Sequence, residues 1–170
     1  MAGYGLDPSN HLDRLIEKDL LDQGIVSKIT NASVSGDTSN GGLNRLSWSL
    51  QDDYDLFILG LGANDMLRGI SPETTKSNLE EIIKIVQKKN IPTLLTGMQA
   101  PSSYGQDYQS SFNSIYPELA EEYEIFLYPF LLEGVALDPS LNQSDGKHPN
   151  EQGIALISKK IAEKIKNILN

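Results

Sequence analysis

The 170-residue chain contains no cysteine. Disulfides, cysteine-ligated zinc, iron–sulfur clusters and a thiol nucleophile are all excluded by that one absence. Histidine is scarce, with only His11 and His148, so any imidazole chemistry falls on one of two positions. Basic residues are also few: 14 Lys and Arg stand against 23 Asp and Glu, a formal net charge of −9 at pH 7. Such an acidic surface is repelled by a phosphate backbone, which argues against DNA or RNA as a partner. No stretch approaches the roughly 18 consecutive apolar residues of a membrane span. Residues Ala2 to Asp19 lack the apolar core of a secretory signal.

What is present is an ordinary globular composition, 39% hydrophobic with 14 glycines. The length suits one domain over residues 1–170, large enough to bury about 70% of its unfolded surface. Hydrophobic periodicity alternates between helix and strand. Leu12, Leu15, Ile16 and Leu20 line one face of a helix that Asp7 or Ser9 can cap and Gly24 ends. Ile25–Thr30 reads as a short strand, and Leu43, Leu46 and Leu50 mark a weaker helix. Asp55–Leu61 reads as a strand buried on both faces, as in parallel sheets. Ser71-Pro72-Glu73 starts a helix continued by Leu79, Ile82, Ile83 and Val86. Strands at Thr93–Thr96 and Ile125–Tyr128, a helix near Gln109–Tyr123 and a last helix over Glu151–Leu169 complete the series. Strands separated by helices predict an α/β fold with a parallel, doubly wound sheet.

In such sheets, sites form outside the carboxyl ends of the strands. Three loops qualify: Asn31–Ser39, Gly62–Asp65 and Asp145–Asn150. In the last, Asp145 precedes His148 by three residues. A carboxylate there can accept the imidazole Nδ1–H and support general-base work, or it can simply cap its own turn. Asn64 offers amide donors and Gly36 a backbone N–H, the groups that stabilise a developing oxyanion; both are equally ordinary turn residues. His11, on a surface helix, reads as structural. Gly60-Leu61-Gly62 lacks the third glycine of a dinucleotide loop, because Asp65 stands there. Asp52, Asp53 and Asp55 read as a solvated turn rather than a metal site, and Trp48, Tyr104 and Tyr108 as packing residues that could otherwise line an apolar substrate groove.

Taken together these blocks resemble the SGNH (GDSL-type) hydrolases, closest to the bacterial arylesterase and acyl-CoA thioesterase/lysophospholipase group. Asn31–Ser39 resembles the family's second block, carrying Gly36. Gly62-Ala63-Asn64-Asp65 resembles the third, and Asp145-Gly146-Lys147-His148-Pro149-Asn150 the last. The resemblance implies a three-layer α/β/α flavodoxin-like sandwich and hydrolysis of small-molecule esters or thioesters without cofactor or metal. It implies His148 as base, Asp145 as its orienting carboxylate, and Gly36 and Asn64 as oxyanion donors. It places Asp65, Leu67, Arg68 and Tyr104 along the substrate. Family members are often exported.

One part of the pattern is missing. Ala2–Leu6 resembles the stretch just after the family's first block, yet Gly-Asp-Ser occurs nowhere in the chain. Gly36-Asp37-Thr38 imitates it but belongs to the second block, and Ser33, Ser35 and Ser39 do not follow a strand-to-helix turn. The expectation is that the first strand and the nucleophile lie upstream of Met1. The chain by itself would then be silent toward esters and marginally stable, with a gap inside the sheet. The other expectation is a binding module of the same fold for an acyl or glycan ligand.

Overall fold

The computed structural model describes residues 2–169. In chain order these form α1 (Leu12–Asp22), α2 (Ser39–Asn44), α3 (Leu46–Ser49), β1 (Phe57–Leu59), α4 (Ala63–Leu67), α5 (Pro72–Gln87), β2 (Thr93–Thr96), α6 (Gln106–Glu122), β3 (Phe126–Tyr128) and α7 (Glu151–Leu169). Two compact units result. One is Gly36–Leu131; the other joins the stretch up to Ser35 with the stretch from Leu132 onward.

The Gly36–Leu131 unit is built on a parallel sheet of order β1-β2-β3. β2 is buried throughout, as its run of Leu94 and Leu95 requires of a strand covered on both faces. β1 is shorter than the expected Asp55–Leu61, and Phe57 and Ile58 are only half-buried. Like β3, it is an edge strand among the described residues, with a neighbour on one side only. Helix α5 starts as its sequence dictates: the Ser71 hydroxyl accepts the Thr74 N–H at 3.2 Å and Pro72 supplies a preset φ. Its face Leu79, Ile82, Ile83 and Val86 is fully buried in the core with Phe112, Ile115, Tyr116 and Leu119 of α6. Gly97, just past β2, donates to the Tyr128 carbonyl at 2.8 Å and accepts from Leu131 N–H at 2.9 Å. A Cβ there would overlap the Pro129 carbonyl oxygen.

In the other unit α1 packs against α7, burying Leu12, Ile16 and Leu20 of the first and Ile154, Ile157, Ile161 and Ile165 of the second. Asp7 caps a separate 3-10 turn, Pro8–Asn10, rather than α1, whose N-cap position is His11. The strand expected at Ile25–Thr30 does not form. The chain there has no regular structure, with Ile25, Ser27 and Ile29 half-buried and the alternate residues exposed. A ladder needs a neighbouring strand, and none among the described residues pairs with it. Its backbone turns to α1 instead: Ile29 N–H donates to the Glu17 carboxylate at 2.6 Å.

The segment Gly36–Ser39 is fastened along its length by α4, a helix inside what reads from sequence as a loop. Asp65 is fully buried. Its Oδ2 accepts the Ser39 N–H at 2.8 Å and its Oδ1 accepts the Ser39 hydroxyl, with Thr75 Oγ1 at 3.5 Å. Asn64 Nδ2 donates to the Asp37 carbonyl at 2.9 Å, and Arg68 Nη2 to the Gly36 carbonyl at 2.6 Å. Asn64 and Arg68, the residue that ends α4, are four apart and so lie on the same side of this short helix. Gly62, at φ +107° before α4, has no room for a side chain, because a Cβ would overlap the Tyr116 hydroxyl.

Two substitutions test this account. Gly97→Ala forces backbone against backbone and is expected to cost about 1–3 kcal/mol, with Tm falling roughly 2–4 °C per kcal/mol in a chain of this size. Asp65→Ala strands the buried Ser39 N–H and hydroxyl at about 1–3 kcal/mol each. Amide exchange at Gly36 and Asp37 should accelerate in Asp65→Ala and not in Gly97→Ala. Equal exchange in the two variants would remove Asp65 from its role as fastener.

Candidate active site

Residues Leu141–Asn150 form a narrow loop closed on itself. Gln143 N–H donates to the His148 carbonyl at 2.7 Å and Asn150 N–H to the Leu141 carbonyl at 2.9 Å. The buried Asn142 amide donates to the Val135 and Asp138 carbonyls at 2.6 and 2.7 Å. Asn150 Oδ1 then caps α7, accepting from the N–H groups of Gln152 and Gly153, each at 3.0 Å. The dyad thus sits on a loop pinned at the start of a long helix.

Asp145 performs both tasks its spacing allows. Its Oδ1 accepts the backbone N–H groups of Lys147 and His148 at 2.9 and 3.0 Å. Its Oδ2 lies 2.6 Å from His148 Nδ1. Gly146, at φ +65°, makes the tight turn between them. The hydrogen bond from His148, and then the two backbone donors, hold the Asp145 carboxyl well below the usual carboxylate range. An ionised carboxylate only accepts, so the proton lies on Nδ1 and Nε2 is the basic nitrogen. The Tyr4 ring lies against the imidazole, centroids 4.6 Å apart.

In the other unit, Gly36 takes φ +77° and is exposed, with its carbonyl held by Arg68. The Asn64 amide is half-buried and committed through one hydrogen to Asp37. Because the amide is planar, that bond also sets the direction of its second N–H. The structure thus brings Asp145 to His148, and Gly36 to Asn64 through the Asp37 carbonyl.

The residues expected along the substrate divide. Leu67 is exposed on α4. Tyr104 is half-buried at the head of a row of rings, Tyr104, Tyr108, Phe112 and Tyr116, with successive centroids 5.5, 5.9 and 5.8 Å apart. Arg68 is exposed but takes up the Gly36 carbonyl. Asp65 is corrected: it is fully buried and occupied by Ser39 and Thr75, so its carboxylate serves the interior. Trp48, expected to pack, is 78% exposed. Gln143, Tyr4 and the Arg68–Gly36 bond were not foreseen. The spacing of Arg68 four residues after Asn64 was the one available signal for any of them.

No helix of the described residues is long and apolar enough to cross a membrane. Residues 1–156 match the GDSL-like Lipase/Acylhydrolase family. Thioesterase 1/protease 1/lysophospholipase L1 of Escherichia coli is 39% identical over 145 residues, covering 85% of this chain and 70% of that protein. The arylesterase of Vibrio mimicus is 35% identical over 165 residues, covering 96% and 82%. Among solved structures, AlinE4, an SGNH-hydrolase family esterase, superposes with a TM-score of 0.83 at 42% identity, covering 99% of this chain and 91% of that one. With the match extending over most of its length, the chain belongs to the GDSL/SGNH lipase and acylhydrolase family.

Proposed function

We propose that this chain is the larger part of a serine ester or thioester hydrolase, and that its nucleophilic serine lies upstream of Met1. His148 Nε2 takes the proton from that serine as it attacks the acyl carbon, and returns it to the leaving alcohol or thiol. Asp145 keeps the imidazole in the Nδ1–H tautomer and stabilises the imidazolium. The Gly36 N–H and the Asn64 amide donate to the oxyanion of the tetrahedral intermediate. Water, activated by the same imidazole, then releases the acyl group as a carboxylic acid. Leu67 and Tyr104 border the acyl chain in this reading.

The observation that carries it is the 2.6 Å approach of His148 Nδ1 to an Asp145 whose other oxygen is fixed by backbone donors. A turn cap alone needs only the second oxygen. The names of the Escherichia coli and Vibrio mimicus relatives support ester and thioester chemistry.

The test compares two proteins with a chromogenic short-chain ester. The 170-residue chain should show no turnover above buffer. The same chain preceded by a strand ending in Gly-Asp-Ser should hydrolyse the ester, and His148→Ala in that longer protein should lower kcat/KM by about 10²–10⁴-fold. Turnover by the 170-residue chain that vanishes in His148→Ala would mean another nucleophile within it. A longer protein that binds acyl or glycan ligands without turnover would favour the binding module.

The dyad also has a pH signature. A carboxyl with a lowered folded pKa contributes its interaction fully above its unfolded value and loses it only as pH falls through the folded value. For Asp145 that window lies at and below the usual carboxylate range. Through ordinary assay pH, Asp145 should therefore stay ionised. Asp145→Asn in the longer protein removes the carboxylate that orients and stabilises the imidazolium and should lower kcat; an unchanged kcat would refute the assignment.

A further inference from the structure

Gln143 stands two residues before Asp145 and five before His148, and three segments meet on it. Its side-chain Nε2 donates to the Tyr4 carbonyl at 2.8 Å and to the Pro149 carbonyl at 3.0 Å, using both amide hydrogens. Its Oε1 packs so closely on Gly5 that a Cβ there would overlap it. Its own backbone N–H donates to the His148 carbonyl at 2.7 Å. Tyr4, whose carbonyl it holds, lays a ring against His148 with centroids 4.6 Å apart and planes at 33°. Gly3 and Gly5, at φ +72° and +73°, let the chain fold back at this point, and Leu6 N–H closes the turn on the Gly3 carbonyl at 3.1 Å.

We infer that Gln143 is a positioning residue for His148, locking the Gly3–Leu6 turn onto the loop that carries the dyad. This role rests on the assignment of His148 as the base. An imidazole on a loop has two soft torsions. Asp145 restrains it at Nδ1, but a single hydrogen bond leaves the ring free to swing about that contact. A ring stacked on one face removes the swing, provided the ring's own backbone is fixed. The planar nitrogen of a primary amide does this, because its two N–H bonds diverge at a set angle and fix two carbonyls relative to each other. Gln143 thereby ties Tyr4 to Pro149, the residue after the base. Ala2–Leu6 resembles the stretch that follows the family's nucleophile block, so the same amide would set the reach between serine and imidazole. Misplacing reacting groups by about 1 Å costs on the order of 10²-fold in rate.

The 170-residue chain itself provides the test, by NMR and without any substrate. Gln143→Met keeps the length of the side chain and removes both donors. The ring-to-ring contacts between Tyr4 and His148 should be lost, and the His148 ring resonances should move toward those of an exposed histidine. The Lys147 and His148 amides, held by Asp145, should keep their shifts. Tyr4→Leu retains the carbonyl: the His148 ring resonances should move while the Gln143 side-chain NH₂ signals stay in place. Unchanged His148 ring signals in either variant would overturn the inference. So would loss of the Asp145-held amides together with the ring contacts in Gln143→Met, which would make Gln143 general scaffold. Should Gln143→Met not fold, Tyr4→Leu still decides. Because ester turnover is never measured, failure of the hydrolase assignment and failure of this role are read separately.

Discussion

The carboxylate of Asp65, buried without any exposed surface, is the constraint on which the Gly36–Leu131 unit's polar architecture depends. A buried carboxyl group is tolerated only when its oxygens find donors. Here Ser39 provides two from one residue, a backbone N–H and a hydroxyl. The Ser39 hydroxyl, having donated to Asp65, accepts the Asn78 amide at 2.9 Å, which polarises the chain of bonds further. The consequence is positional. Once Ser39 is tied to α4, the residues before it lie within reach of Asn64 in α4 and of Arg68 at its end, which take the Asp37 and Gly36 carbonyls. A segment rich in small polar residues, with little apolar surface to hold it, is fixed by hydrogen bonds in place of packing.

Asp145 solves the opposite problem. It is exposed, so no desolvation forces it to find partners, and an isolated exposed ion pair contributes little. What keeps it in place is local: two consecutive residues of its own loop, Lys147 and His148, supply two backbone donors and one imidazole. The loop in turn is closed by Asn142, Gln143 and Asn150, all acting through side-chain amides on carbonyl groups. Amides suit this work because they carry no charge that would compete with Asp145 for His148.

The parts of the fold legible in the sequence are those set by local rules. Ser71-Pro72, the Leu79–Val86 face, the run at Leu94–Leu95 and the Asp145–His148 spacing each follow from a cap, a periodicity or a reach of a few residues. Ile25–Thr30 reads as a strand because β-branched residues favour one locally, while the ladder needs a partner strand from elsewhere in the chain. Gly62–Ile70 reads as loop because its five-residue helix is too short to show a period. Asp65 looks like a surface turn residue until Ser39, 26 positions away, is brought to it. Gln143 was invisible for the same reason, since its partner Tyr4 is 139 positions distant.

The groups assigned to chemistry share a form. The Asp145 carboxylate, the His148 imidazole and the Asn64 amide are planar and two-pronged, and in each the structure commits one prong to the scaffold. Asp145 gives Oδ1 to its backbone and Oδ2 to the histidine. His148 gives Nδ1 to Asp145 and keeps Nε2 for the proton. Asn64 gives one N–H to Asp37 and so aims the other. A hydroxyl or an ammonium held by one hydrogen bond still rotates freely, whereas a planar group held at one prong keeps only the swing about that contact, which a second neighbour can stop. In the hydrolase reading proposed above, such fixed directions would serve the preorganisation on which electrostatic stabilisation of a transition state depends. In that reading Asp37, through its carbonyl, and Gln143, through its amide, act without touching a reacting atom.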